Sequence, residues 1–502
     1  MGIDVGTTRV KAFLFDLENG RQYFSYRNCN LILSKSGYVE QDPQQILAET
    51  KNVIRDVMKL AGDRVNVISL SFSSQGGTLI PLDEHGKPVC NAITWMDRRA
   101  HRENSILKER FGEDFFYLKT GWRLLGCLPL LQIYWLKKNK PDLFRKIRKF
   151  AFVGDYIAYE FSGEWVIDPP SAAITMLYNI RDGVWDDELL EIVDISEDQL
   201  PKIRDSGEKI GLVSQQVRKE LNLHGDEITV SNGGHDQYCA SLGAGCLNEG
   251  DLLLSGGTAW VLLLTSSRLI FDTRTYISPG RHVIKNKWGL LSSISAAGAG
   301  VNWLKDLLSH FSGEEFTEKR FFEILEEEAR EIPPGCEGIF FTPHFTGSGA
   351  PFWEKSLRAS ILGLSLHHKA AHIFRALMEG IGFEVLLNMK CFERLGVKIK
   401  SVNMIGGASR SRIWPQILSN IINHTISIPM IREAACVGAA ILAGRGGGVF
   451  KSYEEGVKNL ITEISHVHPV ESESKKYQEI FHSYQKLYEK LREIYVEVTE
   501  SP

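Results

Sequence analysis

Two loops built from the same residue types stand half a chain apart. The first, Asp4-Val5-Gly6-Thr7-Thr8, joins two apolar runs, Gly2 to Val5 and Val10 to Phe15. Such a turn offers backbone N–H groups and two hydroxyls to phosphate oxygens, and glycine lets the main chain come close. A carboxylate there repels phosphate unless a divalent cation stands between them, which makes Asp4 a candidate magnesium ligand through water. The second loop, Ser255-Gly256-Gly257-Thr258, lies between strands expected at Asp251 to Ser255 and Val261 to Leu264. It keeps the amides and hydroxyls and lacks the carboxylate. Two such loops facing each other across a cleft form a phosphate clamp. No GxxxxGK[ST] run occurs, so neither loop is of the Walker type.

The candidate base is Asp236, in Asn232-Gly233-Gly234-His235-Asp236-Gln237, after the run Glu227 to Val230 and before a small-residue helix expected at Ala240 to Gly245. A carboxylate lifted from a glycine turn at a cleft wall can accept the proton of an attacking hydroxyl, and Gln237 can hold a second hydroxyl. His235 is the alternative base, although a histidine in a glycine-rich turn reads more readily as a hydrogen-bonding spacer. Trp95-Met96-Asp97-Arg98-Arg99, after a strand at Asn91 to Thr94, offers a flat apolar wall and a carboxylate to a polyhydroxylated substrate. The alternative for Asp97 is an ion pair with an arginine. Ser73 to Thr78, which holds Gln75, Gly76 and Gly77, would form the opposite wall. Met404 to Ser409 runs from an apolar strand into Gly406-Gly407-Ala408 and then a helix at Ile413 to Ile422, leaving space and free N–H groups for a flat ring. Ala296 to Gly300, ahead of Trp303, offers a similarly bare surface.

The elements that must carry these groups repeat. Ile3-Asp4-Val5-Gly6-Thr7 corresponds to Leu254-Ser255-Gly256-Gly257-Thr258, and return strands begin at Val10 and at Trp260–Val261. An internal duplication points to two related α/β domains, and 502 residues exceed the ~250–300 that one core supports. The division is placed at 1–244 and 245–502, with the junction between Leu242 and Asn248. Elsewhere the spacing predicts a helix over Gln44 to Leu60, strands over Val65 to Phe72 and Leu79 to Asp83, mostly helix over 101–205, and a closing amphipathic helix over Tyr477 to Val498. The basic run Lys137 to Lys149 reads as a solvated helix face. The first strand opens almost at Met1, which suggests a trimmed or late-assigned start.

Composition narrows the function classes. A net charge of −4 gives no broad basic field for nucleic acid and no polybasic membrane anchor. No stretch approaches the ~18–20 apolar residues of a membrane helix, and no secretory signal is visible, so the chain reads as cytoplasmic. The eight cysteines lack the close spacing of zinc sites or disulfide frameworks and read as free thiols.

Taken in order, these segments resemble the FGGY family of carbohydrate kinases. The likeness covers nearly the whole chain and includes Gly37 to Pro43, Trp95 to Arg99, Gly233 to Asp236, Gly349 to Trp353, Arg358, Gly363-Leu364, His372 to Gly380 and Gly406 to Ala408. The resemblance implies two ribonuclease-H-like (actin-like ATPase) domains around a central cleft, and transfer of the ATP γ-phosphoryl group to a sugar or polyol. It implies Asp236 as general base and Asp4 as the magnesium-site carboxylate. Thr7, Thr8, Lys11, Gly257, Thr258, Gly298, Asn302, Gly406, Gly407, Ala408 and Ser411 would hold the nucleotide. Gln75, Gly76, Gly77, Trp95, Asp97 and Gln237 would line the sugar side, and a homodimer is implied by the same analogy. The chain departs from the family at Gly76-Gly77, where xylulokinases usually carry Met-His and glycerol kinases Arg-Glu, and at Gln132, where the first signature usually has lysine. The two glycines are expected to leave room for a bulkier polyol, or to contact the acceptor through the backbone. D-Xylulose is the leading acceptor, ahead of gluconate, erythritol or another pentulose. The competing class is a sugar-binding regulator without transfer, which should carry a further DNA-binding or partner segment.

Overall fold

The computed structural model describes residues 1–34, 37–62, 65–225, 227–295, 297–312 and 316–500, so Ala296 lies outside the described residues. Two sheets dominate. The first contains β1 (Gly2–Val5), β2 (Arg9–Phe15), β3 (Gln22–Asn28), β4 (Ser69–Ser74), β5 (Lys209–Leu212) and β6 (Thr229–His235), in the order β5-β6-β4-β1-β2-β3. The second contains β7 (Asp251–Gly256), β8 (Trp260–Ser266), β9 (Ser278–Arg281), β10 (Trp288–Ile294), β11 (Ser401–Gly406), β12 (Ile426–Pro429) and β13 (Ile464–Val467), in the order β9-β10-β8-β7-β11-β12-β13.

The duplication read from two loops extends through both sheets. β1, β2 and β3 form an antiparallel meander, and β4 and β6 continue from β1 in parallel. β7, β8 and β10 repeat the meander, with β11 and β12 as the parallel continuation. Every residue of β1 and β4 is buried, as parallel strands covered on both faces require.

Helix α1 (Pro43–Ala61) covers one side of the first sheet. Asp42 caps its Gln44 amide, Pro43 stands in its first turn, and the stripe Ile46, Leu47, Val53, Ile54, Val57 and Met58 is buried. Helix α2 (Asp236–Gly243) leaves β6. In the second half follow α3 (Ala297–Ser312), α4 (Ala370–Arg394), α5 (Ala434–Gly446) and α6 (Glu471–Glu500). Although α5 belongs to the second half by sequence, it packs on β1, β4 and β6 and against α2. A Cβ on Gly438 would fall 1.9 Å from the Cys239 carbonyl oxygen, and one on Gly243 would fall 1.9 Å from that of Ala434. Only glycine permits this approach. The apolar core shared by the halves includes Phe13, Tyr238, Leu242, Leu253, Leu263, Val437 and Ile441.

Some boundaries differ from expectation. The strand predicted at Val65 to Phe72 begins only at Ser69; before it, Asn66 makes a single bridge to His224. Lys137 to Lys149 is no single helix face, because Pro141 opens a separate short helix after Pro129–Asn139 and Lys149 starts a strand. Gly233 and Gly234 lie inside β6 and form no turn, and Asp236 is the first residue of α2.

Candidate active site

β6 follows β4 in parallel, but its register slips between Ser231 and Gly234. A Cβ on Gly233 would lie 1.7 Å from the Phe72 carbonyl oxygen, so the bulge exists only because that residue has no side chain. The slip turns the end of β6 and sets Asp236, half-buried, at the head of α2. Its pKa is pushed up to about 6, chiefly by burial; the Gln237 amide and side chain and the Lys11 charge pull the other way. The neighbouring His235 ring is buried and held neutral, its pKa lowered to about 4 by burial. Nδ1 of that ring lies 3.5 Å from Asp236 Oδ1 and has no hydrogen-bond partner among the described residues.

Asp4, on β1, is buried. It accepts a hydrogen bond from Ser73 Oγ at 3.0 Å and pairs with Lys11 Nζ at 3.4 Å. Burial raises its pKa, Lys11 opposes the shift, and the nearby Asp236 charge adds to it. Lys11 also reaches Glu433 Oε2, at 3.0 Å, just ahead of α5. Burial works against the ammonium charge, yet Asp4 and Glu433 hold the Lys11 pKa well above its ordinary value. These groups open into one cavity of about 320 Å³. Asp4, Lys11, Asp236 and Gln237 form one wall; Ser255, Gly406, Gly407 and Ser409, with Arg410 and Arg432 to Ala435, form the other.

The remaining sequence candidates divide into those near this cavity and those used by the fold itself. Thr7 Oγ1 donates to Gln75 Oε1 at 2.8 Å and accepts from Trp95 Nε1 at 2.9 Å. Gln75 Nε2 donates in turn to Gln41 Oε1, and Gln41 Nε2 to the Thr7 carbonyl. Gln75 is therefore buried in a network that ties the first hairpin to the Trp95 loop. Asp97 makes the arginine ion pair that stood as its alternative reading. Its buried carboxylate accepts from the Val39 amide at 2.7 Å and from the Arg99 guanidinium at 2.8 Å. Trp95 keeps an exposed ring, at 43%. Gly76 and Gly77 do not open extra room. A Cβ on Gly76 would fall 2.3 Å from His235 Cδ2 and 2.9 Å from Ile174 Cδ1, so the imidazole occupies that space. Gly77 has φ +74° and is hemmed in by Leu128 and Trp95.

On the other side, Thr8, Gly257, Thr258 and Asn302 are exposed. The Ala299 amide of α3 donates to the Thr258 carbonyl at 3.0 Å, and Gly298 sits against Gly257, so α3 backs the second hairpin. Ala408 is buried against Gly256. Ser411 donates to Glu326 and caps the Trp414 amide, and it does not border the cavity. Sequence reasoning placed Ser73 only within a wall segment and missed Arg410, Arg432 and Glu433. Glu433 had a signal, being an acidic residue directly before the small-residue run Ala434 to Gly444.

Away from the cleft, Glu337, His367 and His368 bring ligand atoms within 4.8 Å of one another, and His372 Nε2 lies 3.7 Å from Glu337. The Ser365 and Lys369 amides donate to Nδ1 of His368 and His372. Both neutral rings then carry their proton on Nε2, which makes that atom a donor and not a metal ligand.

Residues 1–243 match the N-terminal domain, and residues 252–446 the C-terminal domain, of the FGGY family of carbohydrate kinases. The chain belongs to this family. As an FGGY kinase it has the actin-like ATPase fold and is a phosphotransferase acting on a carbohydrate. It is 28% identical over 490 residues to the xylulose kinase of Staphylococcus xylosus, covering 97% of this chain and 99% of that one. It is 26% identical over 511 residues to the gluconokinase of Bacillus subtilis, covering 100% and 97%. To the glycerol kinase of Alkaliphilus oremlandii it is 31% identical over 467 residues, covering 91% and 90%. The ligand-bound xylulose kinase structure from Lactobacillus acidophilus superposes on this FGGY kinase with a TM-score of 0.90 at 27% identity, over 99% of each chain. Among the described residues, no helix is long and apolar enough to cross a membrane.

Proposed function

We propose that this FGGY kinase transfers the γ-phosphoryl group of ATP to D-xylulose, giving D-xylulose 5-phosphate, with Asp236 as the general base. The observation that carries this reading is the meeting of Asp236 with Asp4, Lys11 and the Gly406-Gly407 turn in one cavity. The hydroxyl proton passes to Asp236 as the new O–P bond forms and the bond to the β-phosphate oxygen breaks, releasing ADP. Gln237 and the exposed Trp95 ring hold the acceptor. The two hairpins, with Thr7, Thr8, Gly257 and Thr258, hold phosphates, while Gly298, Asn302 and Gly406 to Ala408 flank the nucleotide.

The donor set suits a hard divalent cation. Asp4, Asp236 and Glu433 bring three carboxylates together, and among the described residues Lys11 is the cation paired with two of them. Magnesium would be held by Asp4 through water; when bound, it neutralises charge on the phosphate oxygens. A cytoplasmic setting accords with eight free cysteines, which a reducing compartment preserves.

Full-length similarity to xylulose kinases supports the pentulose, though gluconokinase and glycerol kinase relatives are of comparable identity. A coupled ADP-release assay with ketoses, polyols and sugar acids tests the acceptor. D-Xylulose is expected to give the highest kcat/KM, at least about tenfold above gluconate, erythritol and glycerol, the scale of one or two hydroxyl contacts. A higher value with any of these would overturn the acceptor assignment and leave the kinase class intact.

A further inference from the structure

Beside the reaction cavity lies a second concavity of about 370 Å³, where Arg9, Lys11, Arg410 and Arg432 gather around the rings of Phe24 and Tyr26. Glu433 is the one acid in its lining. Four cations against one carboxylate, on a chain whose net charge is −4, make a local field opposite in sign to the whole. Lys11 is satisfied by Asp4 and Glu433. The three guanidinium groups differ: among the described residues none makes an ion pair or a side-chain hydrogen bond. Arg9 instead stacks over Tyr26 at 5.1 Å from the ring centroid, and Arg432 over Phe24 at 5.9 Å. Stacking engages the flat face of a guanidinium and leaves its N–H fork free for an acceptor. Like charges so gathered repel one another until an anion joins them.

We propose that this concavity binds an oligophosphate, a ligand carrying two or more linked phosphate groups, beside the positions assigned to the nucleotide and sharing Lys11 with them. Each phosphate presents several charged oxygens in different directions, so a short chain can meet three guanidinium forks at once; a lone carboxylate meets one or two. The space is within the range of small-molecule sites, ~300–1,000 Å³, and is larger than a single anion needs. Arg9, Phe24 and Tyr26 border this concavity and not the reaction cavity, and belong to neither the acceptor nor the nucleotide assignments. Lys11, Arg410, Arg432 and Glu433 border both concavities, so an occupant lies directly beside the reacting phosphates.

Calorimetric titration of inorganic tripolyphosphate into full-length enzyme saturated with a non-hydrolysable ATP analogue tests the proposal. Orthophosphate and citrate serve as parallel probes. Tripolyphosphate is expected to bind the nucleotide-loaded enzyme, at least about tenfold more tightly than either probe. The variant Arg9→Gln, at a residue that lines this concavity and not the reaction cavity, should lose at least about tenfold in that affinity, the order of one charge-assisted contact. Its melting temperature and its turnover without tripolyphosphate should be unchanged, which separates loss of the site from misfolding. The proposal falls if tripolyphosphate binds only nucleotide-free enzyme, if citrate binds as well as tripolyphosphate, or if the Arg9→Gln variant binds within twofold of the parent.

Discussion

A carboxylate works as a base only while it is ionised, and burial holds Asp236 protonated further up the pH scale than an exposed aspartate. With its pKa at about 6, kcat/KM is expected to fall along a one-proton limb as pH drops through about 6. A profile flat across that range would remove Asp236 from the base role. The same shift has a stability consequence. Because the folded pKa is raised, the protonated side chain suits the fold; stability is fully present below the unfolded pKa and is lost as pH rises through about 6. The Gly76–His235 contact makes a second residue-scale prediction. Gly76→Ala forces a methyl group into the imidazole and should cost about 1–3 kcal/mol, measured by urea denaturation. Adding His235→Ala should recover part of that loss, and no recovery would mean the clash lies elsewhere. At this scale the sequence was legible in residue type and not in direction. Asp4 and Asp236 stood out as carboxylates beside glycines, and the structure brings both to one cavity with Lys11. The hydrogen bonds of Gln75 to Thr7 and Gln41, and of Asp97 to Arg99, were illegible, because residue type near a cleft does not show which neighbour a side chain meets.

Elements were more legible than side chains. Helix α1 carried its own start signal in Asp42-Pro43 and its buried stripe at helical spacing. The strand expected from Val65 slid to Ser69, because an apolar run marks burial and not where pairing begins. The closing helix was visible as an amphipathic stripe, but not how it docks. Glu379 of α4 accepts from Arg375 at 3.0 Å, from Tyr477 Oη at 2.8 Å and from the Gly335 amide at 3.0 Å. Tyr477→Phe on α6 removes a hydroxyl shared by Arg375 and Glu379, and should cost about 1–3 kcal/mol in urea unfolding. Nearby, burial pushes Glu384 up to about 7, with Tyr484 Oη donating to it at 2.7 Å. The raised value favours the protonated acid in the fold, so this contribution to stability is lost as pH rises through about 7. Glu384→Gln should flatten the fall in melting temperature between about pH 5 and 7, and an unchanged slope would place the titration elsewhere.

For the whole molecule, the duplicated sheets frame a cleft whose floor is built by both halves. Lys11 from the first hairpin meets Glu433 from the second half, and α5 lies on the first sheet against α2. Pairing of Gly243 and Gly438 at that crossing was illegible in sequence, since the two positions are far apart along the chain and neither shows which backbone it must touch. Gly438→Ala should destabilise the protein by about 1–3 kcal/mol or more and lower turnover, because α2 carries Asp236 on its first residue. Adding Gly243→Ala should be non-additive, as both side chains press on one helix pair. The central claim is that Asp236 takes the proton of the acceptor hydroxyl, and Asp236→Asn tests it most directly. With saturating ATP, magnesium and acceptor, single-turnover phosphoryl transfer is expected to slow by about 10²–10⁴-fold while melting temperature above pH 7 holds or rises. Transfer at the parent rate by a folded Asp236→Asn variant would contradict the account.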